Sequence, residues 1–199
     1  GLMTLPPGAK SMGAKPQWLP YVSVPDVDAS ASAIAAAGGT VQMPPTDIPG
    51  TGRFAMVADP QGATFYVMAP IGSGPATSHR PGVSGHGGWH ELHARDWRAA
   101  REFYGAQFGW GTVEEMDLGP MGIYLQFGPG GRAAAGADAA ASEHASPGPA
   151  IGAMMTVPGI SHPHGLIYFN VDDLDAATRR LVAAGGKLDG DVHQVPGDD

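Results

Sequence analysis

The sequence has no cysteine, which excludes disulfides, thiolate nucleophiles and cysteine-ligated metal sites. Positive charge is also scarce: 11 Lys and Arg stand against 19 Asp and Glu, for a net charge of −8, and the basic residues form no run. Contact with a phosphate backbone needs a basic stripe, so no nucleic-acid partner is expected. No apolar stretch approaches the roughly 18 residues of a membrane-spanning helix, and the opening residues lack the basic-then-apolar order of a secretory signal. The expectation is a cytoplasmic protein without a membrane partner.

What is present suits a folded chain. The 199 residues are 43% hydrophobic and 15% charged, enough for one large or two small domains. The 31 glycines and 19 prolines would suggest low complexity if they were unpatterned, but most punctuate short apolar runs as turns do. The chain opens on Gly1 rather than methionine, and a partial sequence is the expectation.

An internal repeat organises the chain. Tyr21 to Ser30, YVSVPDVDAS, is answered by Tyr168 to Ala177, YFNVDDLDAA, and at the same offset of 147 the segment Ala37-Gly38-Gly39 matches Ala184-Gly185-Gly186. Met3-Thr4-Leu5-Pro6 is echoed by Met155-Thr156-Val157-Pro158. Each unit reads as an alternating strand (Tyr21 to Val24), a helix N-cap for which Asp28 is the candidate, and an Ala-rich helix stopping at Gly38-Gly39. Then come a short run near Val41, turn residues from Pro44 to Gly52, a strand from Arg53 to Ala58, the turn Asp59-Pro60-Gln61-Gly62 and a strand from Ala63 to Ala69. The order is strand, helix, three strands.

A related unit opens at Gly88 with GWHELHARD. It continues with Asp96 as N-cap, a helix from Trp97 to about Gln107, and strands near Thr112 to Met116, Met121 to Phe127 and Ile151 to Val157. The Ala-, Gly- and Ser-rich stretch Arg132 to Pro149 reads as a flexible insertion in a hairpin. The chain thus holds the tail of one unit, two whole units and the opening of a fourth that lacks its last two strands.

This βαβββ repeat, with the FYGAQFGW helix end at residues 103–110, the VDDLDAA and AAGG pattern and the DPQGA turn, resembles the vicinal oxygen chelate superfamily of glyoxalase I, bleomycin-resistance proteins and extradiol dioxygenases. The likeness is strongest to proteins with tandem glyoxalase-like domains. It implies an α+β fold in which βαβββ modules pair into curved mixed sheets around a cleft. On that basis residues 1–70 are the C-terminal part of a first domain, 71–86 a linker and 87–199 most of a second domain truncated at its C-terminus. Incomplete sheets of this kind suggest a homo-oligomer formed through their open edges.

GWHELHARD invites comparison with H-E-x-x-H, whose histidines bind zinc from one helical face, but here the second histidine comes one residue early. A segment opening the unit should be a strand, and alternation then puts Trp89, Glu91 and His93 on one face and His90, Leu92 and Ala94 on the other. Leu92 and Ala94 suit packing against the helix, so the first set faces the cleft. The resemblance carries the superfamily's metal ligands onto Leu19, Tyr66, Trp89 and Leu166. Three of these have no donor, and divalent sites need three or four protein ligands, so no metal and no other cofactor is expected.

Three readings follow. Tyr21, Tyr66, Met68, Trp89 and Tyr168, with Asn170 and Ser23 as polar companions, would form a mostly apolar wall for a small-molecule ligand. The protein is then a glyoxalase-like or bleomycin-resistance-like binder without the superfamily's metal. The alternative is a glyoxalase-like lyase or isomerase, or a dioxygenase, using Glu91 and His93 as an acid–base pair or an atypical metal site. An interaction protein with degenerate clefts is a third reading. His162 and His164 read as a solvated connection, and His79, His86, His144 and His193 lie in Gly- or Pro-rich surroundings.

Overall fold

The computed structural model of the chain describes residues 4–5, 7–11, 13, 15–72, 80, 82–130 and 148–192. Residues 132–147 of the expected insertion, together with His79, His144 and His193, lie outside the described residues. The elements run α1 (Pro7–Ser11), β1 (Tyr21–Ser23), α2 (Val27–Ala36), β2 (Thr40–Ile48), β3 (Gly52–Ala58), β4 (Thr64–Pro70), β5 (Gly87–Ala94), α3 (Trp97–Phe108), β6 (Trp110–Asp117), β7 (Ile123–Pro129), β8 (Gly152–Thr156), β9 (His164–Phe169) and α4 (Leu174–Ala183). The order strand, helix, three strands occurs twice, in a mixed α+β fold.

Each repeat helix starts the same way. Asp26, Asp96 and Asp173 have extended backbones, and each side chain accepts a hydrogen bond from a backbone N–H of the first turn, such as Ala29 N to Asp26 Oδ1 at 2.9 Å. These caps satisfy donors that the helix leaves free. The N-cap of α2 is therefore Asp26, two residues before the expected Asp28. Asp28 lies in the first turn, where its carboxylate pairs with Arg53 Nε at 2.7 Å. The α3 helix stops on Gly109, whose φ of 68° suits glycine and whose N–H bonds Gly105 O.

A second correction concerns residues 44–48. The sequence suggests turns from Pro44 to Gly52, but β2 stays extended to Ile48, with irregular register between Val41 and Thr46. Proline is tolerated because β2 is an edge strand, where the missing N–H removes no needed ladder bond.

Backbone contacts divide the chain into two compact units, Gly1–Ala76 with Trp89–Tyr168, and Thr77–Gly88 with Phe169–Asp199. In the first, one sheet has the order β1-β4-β3-β2 and the other β6-β7-β8-β5-β9. The pairs β1–β4 and β5–β8 are parallel, and β2–β3, β3–β4, β6–β7 and β7–β8 are antiparallel. One face of each sheet enters a single core. Ala55, Val57, Phe65 and Val67 of the smaller sheet and Ala94, Leu125, Phe127 and Met154 of the larger one join Val27 and Ile34 of α2 and Trp97, Phe103 and Tyr104 of α3. Burial of each large apolar side chain stabilises the fold by about 1.5–3 kcal/mol.

The Asp59-Pro60-Gln61-Gly62 turn links the two repeats of this unit. Gln61 Oε1 accepts from the backbone N–H groups of Arg95 and Asp96, both at 2.9 Å, while Gln61 Nε2 donates to Asp96 O at 2.7 Å. Buried Asp59 accepts from Tyr104 Oη at 3.2 Å and from the backbone of Gln61 and Ala63. The junction between β5 and α3 is thus held by side chains from the preceding repeat.

In the second unit the N–H of Asn170 donates to His86 O at 2.9 Å and the N–H of Gly85 to Asn170 O at 2.8 Å. The α4 helix has no buried residue. Among the described residues, no helix is long and apolar enough to cross a membrane.

Candidate functional site

GWHELHARD is extended, not helical: its residues 88–94 lie in β5, Gly87–Ala94. Side chains alternate between faces in a strand, and Ala94 and Leu92 indeed lie in or against the core. Trp89, Glu91 and His93 belong to the opposite, open face. Register extends that face across the sheet: Glu91 pairs with Ala153, Ala153 with Gln126 and Gln126 with Glu114, while His93 pairs with Met155, Met155 with Tyr124 and Tyr124 with Met116.

Glu91 is the hub of this face. It is only 8% exposed, and hydrogen bonds reach both carboxylate oxygens. His93 Nε2 lies 2.6 Å from Oε1, while Tyr124 Oη and Tyr168 Oη each donate to Oε2 at 3.1 Å. Trp89 Nε1 donates to Tyr124 Oη at 2.8 Å, so the chain runs indole, phenol, carboxylate. A buried carboxylate without partners would be costly; here three side chains, His93 of β5, Tyr124 of β7 and Tyr168 of β9, compensate it.

The electrostatics follow. Burial pulls the Glu91 carboxyl upward, but the His93 hydrogen bond and charge, with the two phenols, outweigh it and hold the group below its ordinary value, so it stays a carboxylate. Burial and the adjacent Glu91 charge raise Tyr124, and the same two causes push Tyr168 up to about 12. Both phenols therefore keep their protons and remain donors to Glu91. His93 is partly exposed, and its ring lies 5.4 Å from that of His164. His164 thus begins β9 beside His93 rather than sitting in a detached connection. Chemically, the set offers a fixed carboxylate–imidazole pair within a rim of aromatic rings.

The structure brings together Trp89, Glu91, His93 and Tyr168 of the expected site residues. Tyr21, Tyr66 and Met68 form a different group, on the open face of the four-stranded sheet. There Tyr21 and Tyr66 stack with centroids 4.4 Å apart and 16° between planes, and Phe54 lies 5.7 Å from Tyr66. Ser23 pairs in register with Met68 on that same sheet. Asn170 is in the second unit, where its side-chain amide donates to the carbonyls of Arg80 and Val83 at 3.3 and 3.4 Å. His90 Nδ1 lies 3.3 Å from Ile151 O.

Tyr124 is the functional candidate absent from the sequence reading. The signal was there: Ile123, Leu125 and Phe127 are the apolar members of β7, so alternation sends Tyr124 and Gln126 to the open face.

The residues present do not fit the divalent metal that the resemblance brings with it. Of the four ligand positions, Leu19 and Leu166 have no donor atom, the Trp89 indole N–H is spent on Tyr124, and Tyr66 is left as a single phenol whose proton burial holds more tightly than usual. Among the described residues, no three of His, Asp and Glu gather in a way that could hold a metal ion.

Comparison with known proteins extends these observations. A family model described as Glyoxalase/Bleomycin resistance protein/Dioxygenase superfamily matches residues 2–67 and 88–199. The chain is 32% identical over 191 residues to the anthracycline biosynthesis protein DauV of Streptomyces sp. (strain C5), and 32% identical over 192 residues to the anthracycline biosynthesis protein DnrV of Streptomyces peucetius. Each match covers 96% of this chain and 62% of the relative, so the chain spans less than two thirds of their length. Among solved structures, the Mn(II)-bound glyoxalase from Novosphingobium aromaticivorans is similar in fold, with a TM-score of 0.50 and 17% identity over 83% of this chain and 50% of that one.

Proposed function

Because the chain belongs to the Glyoxalase/Bleomycin resistance protein/Dioxygenase superfamily, we propose that it binds a small, partly apolar molecule on the open face around Glu91 without the metal site usual in that family. The observation that carries this reading is the Glu91 hub. A buried carboxylate fixed by two phenols and an imidazole, with an indole behind them, is a rigid polar group in an aromatic surround, the composition of a small-molecule site.

A second reading rests on the 2.6 Å contact between His93 and Glu91. This pair is a general acid–base set, with Glu91 orienting the imidazole and His93 exchanging the proton, for a lyase, isomerase or oxygenase reaction. Under it Glu91→Gln removes turnover while the fold persists, and unchanged turnover would take Glu91 out of the mechanism.

The relatives named for anthracycline biosynthesis make an anthracycline the first probe. Titration of the protein, followed by tryptophan fluorescence and calorimetry, is expected to show saturable binding that Trp89→Phe weakens. Folded protein that binds neither this probe nor a panel of smaller planar aromatics would overturn the binding reading.

A further inference from the structure

Resting on that small-molecule reading, we propose that the Glu91 face selects for positive charge, and that its ligand is a planar aromatic compound bearing an ammonium group. The argument begins with what the sheet is made of. Its five strands, β5 to β9, contain no lysine and no arginine. They do contain Glu91 and Glu114, which share one register row through Ala153 and Gln126 on the open face. Within these strands an anionic ligand would meet two carboxylates and no lysine or arginine; Arg95, just past the end of β5, donates to Ser161 O at 3.3 Å. The face's own groups able to become cationic are the imidazoles of His93 and His164.

The remaining contacts favour a cation in the same sense. A phenol that donates its proton to a carboxylate keeps its oxygen lone pairs as acceptors. For Tyr124 one of these is taken by Trp89 Nε1; Tyr168, 45% exposed, presents its oxygen and its ring from the edge strand. The faces of Tyr124, Tyr168 and Trp89 carry negative quadrupole charge, which attracts an ammonium group placed over them. Hydrogen bonding to Glu91 polarises the phenols further in that direction. Carboxylate, phenol oxygens and aromatic faces thus present one sign of potential, while the ring area suits a planar body.

The test uses three compounds sharing one aromatic body: naphthylethylamine, its N-acetyl derivative and naphthylpropionic acid. Each is titrated against the full chain by calorimetry at about pH 8, above the usual imidazole range. The amine is expected to bind about ten-fold more tightly than the acetamide, with the acid weakest. Glu91→Gln, and independently Tyr168→Phe with its exposed ring retained, should shrink the amine's advantage while circular dichroism stays unchanged. Equal affinities for amine and acetamide, or tighter binding of the acid, would overturn charge selection and leave the small-molecule reading standing. An amine preference untouched in both variants would overturn its assignment to this face. If none of the three binds folded protein, this inference falls, and the anthracycline titration alone decides the small-molecule reading.

Discussion

Glu91 shows how one residue's environment decides its chemistry. Burial alone would push its carboxyl toward the neutral form, and His93, Tyr124 and Tyr168 reverse that outcome. The same coupling acts on the phenols. All five tyrosines, Tyr21, Tyr66, Tyr104, Tyr124 and Tyr168, are raised above their ordinary value of 10.0, in each case first by burial. The folded state therefore holds these protons more tightly than the unfolded chain. The stability this contributes is fully present below pH 10 and is lost as pH rises through the folded values. Ultraviolet titration of the native protein should show far less tyrosinate at pH 10 than the half-ionisation reached in denaturant. Coincident native and denatured titrations would contradict the described environments.

Elements repeat in sequence more faithfully than they do in packing. Val27 and Ile34 of α2 correspond to Leu174 and Leu181 of α4 at the same offset of 147. Ile34 is fully buried where α2 packs on β3 and β4, whereas Leu174 and Leu181 are exposed. Ile34→Ala should cost about 2–5 kcal/mol, the usual price of a cavity in a close-packed site. Leu181→Ala should stay within about 0.5 kcal/mol, as exposed substitutions do. Urea unfolding of the two variants measures the difference, and similar costs would show that α4 is packed as α2 is. Gly39 makes the same point from the backbone: a Cβ there would run into Ala58 O at 2.6 Å, so the α2–β2 joint requires glycine for close approach.

At the scale of the whole molecule, two expectations concern what purified protein contains and how it assembles. Elemental analysis is expected to find no stoichiometric Ni, Zn, Fe or Mn, because the donor set at the family's ligand positions is aliphatic or aromatic. One tightly bound divalent ion per chain would refute the metal-free reading. The five-stranded sheet has β9 at one edge, and that strand exposes Tyr168 and Phe169, each at 45%. An exposed apolar edge invites pairing with another strand, so light scattering should show concentration-dependent self-association. A single monomeric species across the range would argue against pairing through this edge.

Much of this is legible in the chain itself. Apolar alternation in GWHELHARD put Leu92 and Ala94 toward the helix and Trp89, Glu91 and His93 on the other face, because a strand's period of two leaves no other choice. The repeat and its turns determined the order of elements, and missing donors at Leu19, Trp89 and Leu166 spoke against the family's metal. Local chemistry misled at Pro44, where an edge position tolerates what a central strand would not, and at Asp28, where capping geometry favoured Asp26. What only tertiary structure decided was which side chains meet. Tyr124 and Tyr168 lie 33 and 77 residues from Glu91, and only the sheet order that sets β7 and β9 about β5 brings their hydroxyls to one carboxylate. The same order separates Tyr21, Tyr66 and Met68 onto another sheet. Sequence periodicity assigns a residue to a face, but long-range strand pairing assigns its neighbours, and the charge and acidity of the site depend on those neighbours.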